Sequence, residues 1–342
     1  MSADGSVDSP LNDSSLRHDF SLEEVRALHD LPLFELLDRA RRTHLQFHPQ
    51  GEVQLCTLLS VKTGGCPEDC GYCSQSSHHS TGVKGEPLMK LPDVVAAAQR
   101  AKEQGATRFC MGAAWREVKD GPQFERVIDM IKEVKAMGLE ACVTLGMLNE
   151  EQAARLKAAG LDAYNHNLDT SREHYKSIIS TRRFDDRLAT LKNVRKAGIT
   201  VCSGGIIGMG ESIDDRCRLL IELSSLKPHP ESVPVNALSQ IEGTPLANLP
   251  PVEPTELVRM IAVARLMMPK SKVRLSAGRS QLSREAQLLC LYAGANSIFY
   301  GDRLLTTSNP SESEDAELIR LAGLRPEAPK SCGAPEGSET CC

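Results

Sequence analysis

One short segment of the 342-residue chain carries three closely spaced cysteines. In CPEDCGYC, Cys66, Cys70 and Cys73 follow the pattern C-x3-C-x2-C directly after a β-rich segment. Thiolates hold iron–sulfur clusters in proteins, and the usual complement is four. With only three, one iron of a 4Fe-4S cluster lacks a protein ligand and can take one from a substrate. Zinc is the alternative, but no fourth Cys or His follows at a zinc-like interval, since His78 and His79 are better interpreted as solvated loop residues.

Three more cysteines, Cys110, Cys142 and Cys202, lie in separate strand-like segments. Each one alone is best interpreted as a small buried hydrophobic residue. If the segments are strands of one barrel, however, their inward-pointing side chains share a single interior. Arg274, in a later strand-like segment, would join them there. A buried guanidinium needs an anionic partner, which a thiolate-ligated cluster supplies.

A further group of candidate site residues is polar. Asn165, Asn167 and Asp169 in YNHNLDT are two residues apart, which in extended backbone places them on one side of the chain. Such groups can hydrogen-bond a ribose, an amino group or a ureido ring, and ordinary turn chemistry is the alternative. In GGIIGMGE, Gly204 and Ile206 lie in a glycine-rich strand end that would let the backbone approach a flat ligand closely.

These residues need a scaffold that brings separate strands together. Eight short β-rich segments alternate with amphipathic helical stretches, near residues 53–61, 106–111, 140–145, 161–167, 200–206, 232–238, 272–276 and 296–300. The alternation predicts an α/β fold, a (β/α)8 TIM-type barrel over residues 21–325, with its active site at the C-terminal ends of the strands. An open doubly wound sheet is the alternative. A helix is expected over 22–44, with Ser21 as its N-cap.

The composition is that of a globular protein, with 41% hydrophobic and 25% charged residues. The net charge of -5 argues against nucleic acid as a partner, and no apolar run approaches the length of a membrane span. Because the N-terminal stretch is acidic, unlike a signal or transit peptide, we expect a cytoplasmic protein. Twelve cysteines in that reducing compartment favour metal or redox chemistry. Residues 1–20 and the cysteine-containing segment 326–342 are predicted to be disordered tails.

The spacing of the three cysteines resembles that of the SAM-radical superfamily. In that superfamily S-adenosylmethionine (SAM) chelates the open iron, and an electron from the cluster releases a 5'-deoxyadenosyl radical. By this resemblance Tyr72 would shield the cluster near the adenine, and the segment of Gly204 and Ile206 is similar to the G-x-I-x-G-x-x-E pattern beside it. Many members carry Gly-Gly-Glu in the second strand, whereas this chain has MGAAW, where Ala113 would supply a backbone contact.

Longer stretches resemble the biotin synthase family, among them SVKTGGCPEDCGYCSQS, RFCMGAAWRE, KAMGLEACVTLG, GLDAYNHNLDTS, VCSGGIIGMGE, VRLSAGR and AGANSIFYGDRLLTT. The resemblance implies a sulfurtransferase that converts dethiobiotin to biotin, the final step of biotin biosynthesis. Hydrogen abstraction by the adenosyl radical would be followed by sulfur insertion. The resemblance also implies a second cluster, of 2Fe-2S type, which is sacrificed as the sulfur donor and is held by Cys110, Cys142, Cys202 and Arg274.

The family resemblance also implies which residues bind the two small molecules. Asn167 and Asp169 would contact SAM, and Arg187 would interact with its carboxylate, although a surface ion pair is the ordinary alternative for Arg187. Asn165 and Asn167 would face dethiobiotin, and Asn236 of VPVNAL would reach its ring.

The same resemblance implies a homodimer, a flavodoxin-type electron donor and iron–sulfur assembly machinery as partners. Two other functions remain open at this point. One is another SAM-radical enzyme that kept the barrel but changed its substrate, which would not need all four predicted ligands of the second cluster. The other is a non-catalytic iron–sulfur carrier, which would leave the polar NHNLD segment and the glycine-rich strand end unexplained.

Overall fold

Parallel strands form a closed barrel in the computed structural model, which describes residues 16–301 and 303–329. The strands pair in the order β1-β2-β3-β4-β5-β7-β8-β9, and β9 pairs back onto β1, while the short β6 continues β5 and pairs with β7. This closure confirms the (β/α)8 barrel and excludes the open sheet. The bounds are β1 Glu52–Lys62, β2 Arg108–Ala113, β3 Glu140–Thr144, β4 Ala163–Asn165, β5 Thr200–Cys202, β6 Gly205–Ile207, β7 Ser232–Ala237, β8 Lys272–Leu275 and β9 Ser297–Phe299.

Helices surround the barrel and bury one apolar face against it. In α4, for example, Phe124, Val127, Ile131 and Val134 recur at helical spacing and are fully buried. The bounds are α1 Leu22–His29, α2 Leu33–Phe47, α3 Leu91–Glu103, α4 Pro122–Ala136, α5 Glu150–Ala158, α6 Tyr175–Ile178, α7 Phe184–Lys196, α8 Ile213–Ser225, α9 Pro254–Met267, α10 Arg284–Tyr292 and α11 Glu312–Leu321.

The predicted helix over 22–44 is wrong in its extent, because two helices occupy this segment. Ser21 caps α1 as expected, and its side chain accepts a hydrogen bond from the Glu24 backbone in a reciprocal capping box. The first helix ends at His29, and Pro32 becomes the N-cap of α2. A residue that precedes a proline is pushed out of helical conformation, which explains the break at Leu31.

The chain ends contribute two small pairings in the described part of the molecule. Strands β10 (Arg303–Leu304) and β11 (Thr307–Ser308) form a hairpin, and β12 (Arg325–Pro326) pairs with β1. Of the predicted tails, residues 1–15 and 330–342 lie outside the described residues. His229 Nε2 bonds to Arg17 O at 2.9 Å, so residue 17 contacts the barrel. Among the described residues, none of the helices is long and apolar enough to cross a membrane.

Two histidines at the C-terminal end of α2, His44 within the helix and His48 as its C-cap, should make folding stability sensitive to acid. Burial, reinforced by the Arg265 guanidinium, lowers the pKa of His44 to about 3 and that of His48 to about 4. An imidazole in the unfolded chain titrates near pH 6.5, so below about pH 6.5 the unfolded state binds protons that the folded state does not. The free energy of unfolding should therefore fall as the pH drops from 6.5 towards 4, by up to about 1.4 kcal/mol per pH unit for each histidine.

Urea unfolding of the full chain between pH 7 and pH 5 measures this slope. The variant His44→Gln should show a shallower slope than the natural chain, whereas His78→Gln, at an exposed loop position, should not. An identical slope in His44→Gln and the natural chain would contradict the assignment of this acid sensitivity to His44.

Candidate active site

The three-cysteine loop begins directly after β1 and is held by its own backbone. Cys66 N–H donates to Gln75 O at 2.9 Å, and Cys66 O accepts from Ser77 N–H at 2.8 Å, so the two ends of the loop are fastened together. Cys73 N–H donates to Cys70 O at 2.9 Å, which forms a tight turn between the second and third cysteines. These backbone hydrogen bonds fix the conformation of the segment that carries the three cysteines.

Acidic residues between the first two cysteines anchor the loop to the segment before α7. The Asp69 carboxylate accepts from the backbone N–H groups of Ser180 at 3.0 Å and Thr181 at 3.2 Å. Glu68, which is only 3% exposed, forms an ion pair with Arg116 at 3.1 Å. The sequence indicated the cysteines but not these anchoring contacts, because the partners of Asp69 lie more than a hundred positions further along the chain and that of Glu68 lies 48 positions away.

Burial in the protein favours the protonated form of the three loop thiols. Burial raises the pKa of Cys70 to about 12 and that of Cys73 to about 11, and it also raises the pKa of Cys66. Binding of iron as thiolates must therefore release protons. Within residues 16–301 and 303–329, no three His, Cys, Asp or Glu side chains converge as they would around a single ion. Three thiols on one loop beside an open cavity fit the donor set of a larger cluster.

A second group of thiols lies deeper in the barrel. Cys110 on β2 is level with Cys142 on β3 in the strand register, and both are buried. Their mutual hydrogen bond and burial raise the pKa of Cys110. Cys202, at the end of β5, is fully buried, and its sulfur lies 3.6 Å from Arg274 Nη1. The structure therefore brings these four residues together, as the sequence predicted for the interior of a barrel.

Arg274 is fully buried and incompletely paired. Its Nε donates to Ser297 Oγ at 2.9 Å, and the guanidinium lies over the Phe299 ring at 4.9 Å, but Nη2 has no hydrogen-bond partner. Leaving a buried charged donor unpaired costs free energy, on the order of 1–3 kcal/mol or more. An anionic, thiolate-ligated cluster would fit next to this nitrogen, and this orphaned donor is the observation that supports such a group here.

Three asparagines line the same interior: Asn165 at the end of β4, Asn167 just after it, and Asn236 on β7. Asn165 Nδ2 donates to Cys202 Sγ at 3.1 Å, and Asn165 Oδ1 accepts from Thr144 Oγ1 at 3.2 Å. Asn167 Oδ1 accepts from Gly204 N–H at 3.2 Å. Asn236, on β7, bridges Gly205 O at 2.8 Å and Ala277 N–H at 3.1 Å, which fixes the orientation of its amide.

Asp169 occupies a strained position. Its φ of 69° lies in the left-handed region that few residues other than glycine adopt, and its backbone pairs with the glycine-rich strand end. The carboxylate accepts from Tyr72 OH at 2.7 Å and forms a buried ion pair with Arg187. Arg187 is 4% exposed, so the pair is not the surface ion pair considered for it from the sequence. Although burial alone favours the neutral form, the Asp169 carboxylate raises the pKa of Arg187.

One cavity of about 340 Å³ opens at the C-terminal ends of the strands, between the two groups of thiols. Most of the predicted site residues line it, namely Cys66, Tyr72, Cys73, Cys110, Ala113, Cys142, Asn165, Asn167, Asp169, Arg187, Ile206, Asn236 and Arg274. Cys70, Cys202 and Gly204 are buried next to these residues but do not line the cavity itself.

The sequence did not indicate one wall of the cavity. The β10–β11 hairpin covers part of the mouth with Leu305, Thr306 and Thr307, and Thr306 Oγ1 lies 2.8 Å from Ser74 Oγ of the cysteine loop. The only signal in the sequence was the pair of threonines in DRLLTT. This segment has neither strand nor helix periodicity, so its position at the cavity could not be predicted.

Gly204 is required by close backbone packing. A Cβ atom on Gly204 would lie 1.9 Å from Pro234 O of β7, which is main chain and cannot rotate away. We expect Gly204→Ala to lower the free energy of unfolding by at least about 3 kcal/mol, the upper part of the range for overpacking. Gly85→Ala is the control, because its Cβ would meet no atom closer than 3.9 Å. Equal denaturant midpoints for the two variants would contradict the predicted clash.

Solved structures of similar shape establish the fold. A methylornithine synthase superposes with a TM-score of 0.75 at 20% identity, covering 90% of this chain and 94% of that protein. An FeFe-hydrogenase maturase from Carboxydothermus hydrogenoformans gives a TM-score of 0.75 at 18% identity, covering 89% of this chain and 75% of the maturase. At these identities the likeness concerns the barrel alone.

Family models define the class of protein. The model of the Radical SAM superfamily matches residues 60–223, and the model of the Biotin and Thiamin Synthesis associated domain matches residues 234–325. The first match spans the three-cysteine loop, so the barrel and its loop define a radical SAM protein, a class that uses SAM and a 4Fe-4S cluster.

The biotin synthase of Sorangium cellulosum is 71% identical over 93% of this chain and 91% of its own length. That of Myxococcus xanthus is 61% identical over 93% of this chain and 92% of its own length. The chain belongs to the biotin synthase family, whose members are radical SAM sulfurtransferases.

Proposed function

We propose that this chain converts dethiobiotin to biotin by sulfur insertion. The observation that carries the proposal is that one cavity is lined by thiols of both groups and by polar residues at and after the end of β4 and on β7. When bound, the clusters and SAM would supply the adenosyl radical and the sulfur atom. The protein would supply binding, orientation and exclusion of water.

The three-cysteine loop would hold the 4Fe-4S cluster at the mouth of the cavity through Cys66, Cys70 and Cys73. Tyr72, on the same loop, is oriented by its hydrogen bond to Asp169 and would cover the adenine of SAM. Asn167, Asp169 and Arg187 would bind the polar groups of SAM, and the backbone of Ala113, Gly204 and Ile206 would lie against the rest of it. The buried Asp169–Arg187 ion pair holds both side chains in place before SAM arrives.

The deeper thiols would hold the 2Fe-2S cluster through Cys110, Cys142, Cys202 and Arg274. Dethiobiotin would then lie between the two clusters, where Asn165, Asn167 and Asn236 present amide groups to its ureido ring. These amides already have partners in the protein, among them Gly205 O for Asn236, and are therefore preorganised. The hairpin residues at the mouth would limit access of water, which would otherwise quench a radical.

The direct test uses anaerobically reconstituted protein with SAM, dethiobiotin and a strong reductant, followed by mass spectrometry. We expect both 5'-deoxyadenosine and biotin. Deoxyadenosine without biotin would assign the chain another substrate within the SAM-radical class. Neither product, from protein in which both clusters are verified, would favour a non-catalytic iron–sulfur carrier.

Several partners follow from the same proposal. The enzyme would act as a homodimer in the cytoplasm, receive electrons from a flavodoxin-type donor and have its sacrificed cluster rebuilt by iron–sulfur assembly machinery. The nine cysteines in the described part of the chain are free thiols, which is consistent with a reducing compartment. We also propose that residues 21–325 form one barrel domain and that residues 1–20 and 326–342 are its flanking tails.

A further inference from the structure

Cys56 is a buried cysteine that the proposed function does not use. It lies in β1 with no exposed surface, two residues before Leu58 and therefore on the same face of the strand. Leu58 is level with Cys110, and Cys110 is level with Cys142. Cys56 therefore points into the barrel interior, two residues closer to the N-terminal end of the strands than the level of Cys110 and Cys142. It belongs to the same buried cluster of side chains as these two cysteines.

Weak polar contacts connect Cys56 with Arg274. Cys56 Sγ lies 3.5 Å from Ser297 Oγ, and Ser297 Oγ accepts from Arg274 Nε at 2.9 Å. The thiol also donates to Gln54 Oε1 at 3.5 Å. A single hydroxyl group thus separates the sulfur from the guanidinium. A thiol is a weak hydrogen-bond donor, so little free energy opposes the exchange of these two contacts for a bond to iron.

Two buried guanidinium nitrogens in this region lack a partner. Arg274 Nη2 and Arg108 Nη1 form no hydrogen bond, although Arg274 is 0% and Arg108 5% exposed. Arg108 is level with Cys56 in the register of β1 and β2, and its Nε is paired with Glu140. The side chain of Cys56 thus lies near two buried guanidinium groups that each have an unpaired N–H donor. Buried donors are normally paired, so we infer that an anionic group binds beside Cys56.

We propose that Cys56 is a fourth thiol ligand of the 2Fe-2S cluster, able to take the coordination position that the family resemblance gives to Arg274. The inference rests on the proposed function in assuming that Cys110, Cys142 and Cys202 hold that cluster. Thiolate is the ordinary ligand of iron–sulfur clusters, whereas a guanidinium has donors only and must lose a proton before it can bind iron.

The exchange of ligands is balanced in atoms and charge. In this exchange Cys56 Sγ would replace the arginine nitrogen on the same iron, and the thiol proton would move to that nitrogen. No electron is transferred. The protonated guanidinium would then balance the one negative charge that the cluster gains, and its Nε could keep the bond to Ser297.

The test compares Cys56→Ser, Arg274→Met and the double variant after anaerobic reconstitution with sulfide and isotopically enriched iron. We expect each single variant to retain the 2Fe-2S cluster and the double variant to lose it, measured as bound iron and sulfide. In Arg274→Met, Mössbauer spectra should show two equivalent irons, since each would have two thiolates. Loss of the cluster in Arg274→Met, its retention in the double variant, or inequivalent irons in Arg274→Met would overturn the proposal.

Matched controls separate ligation from folding and from catalysis. Cys290→Ser replaces another fully buried cysteine, on α10, and should leave both clusters in place. If the double variant also loses the loop cluster, Cys56→Ala combined with Arg274→Lys repeats the test with the buried charge retained. Natural protein that holds both clusters but forms no biotin would contradict the proposed function and leave this inference standing.

Discussion

Replacement of Cys142 by Ala is expected to abolish biotin formation while cleavage of SAM continues. Cys142 is fully buried in the middle of β3, level with Cys110. Loss of this thiol should remove the 2Fe-2S cluster and leave the 4Fe-4S cluster intact. Because changes around a metal ligand already cost about 10–100-fold in activity, loss of the ligand itself should lower biotin yield by more than about 100-fold.

Mass spectrometry of biotin and 5'-deoxyadenosine, together with iron and sulfide analysis, measures both parts of this result. Cys290→Ala removes a thiol of equal burial that lies outside both cysteine groups, and it should retain both products. If Cys142→Ala still makes biotin at the rate of this control, the assignment of the deeper thiols to the sulfur-donating cluster is wrong.

The second large effect concerns stability. Arg187→Met should lower the free energy of unfolding by about 3–5 kcal/mol, the usual cost of removing one partner of a buried ion pair. The variant leaves the Asp169 carboxylate, which is 2% exposed, without its counter-charge. It also removes the hydrogen bond from Arg187 Nε to Tyr175 OH, at 2.7 Å, and that from Nη1 to Asn167 O, at 2.5 Å.

Guanidinium chloride unfolding of the natural and variant chains measures this difference. Arg172→Met is the matched control, because Arg172 and Asp185 form an ion pair whose side chains are 45% and 66% exposed. Exposed pairs contribute about 0–1 kcal/mol, so the control should unfold almost as the natural chain does. If both variants lost the same free energy of unfolding, the buried Asp169–Arg187 pair would contribute no more to stability than an exposed pair.

The sequence by itself determined the architecture and most of the candidate site. Alternation of β-rich and helical segments predicted the barrel, because each element buries an apolar face whose period is set locally. The helix predicted over 22–44 was wrong in its extent. The sequence itself contained a signal for the break, because the residue before Pro32 is disfavoured in a helix. The spacing of Cys66, Cys70 and Cys73 is likewise a local property, so the loop could be recognised from the sequence.

Closure of the barrel decided what the sequence left open. Arg187 could be a surface residue of a helix or part of the site, and only the tertiary structure shows that it is buried with Asp169. Cys56 was indistinguishable from an ordinary core cysteine until the register of β1 with β2 and β9 placed it beside Ser297 and below Cys110. The physical reason is that hydrogen bonds and charge pairs between strands depend on register and barrel stagger, which are properties of the whole sheet and not of any one segment.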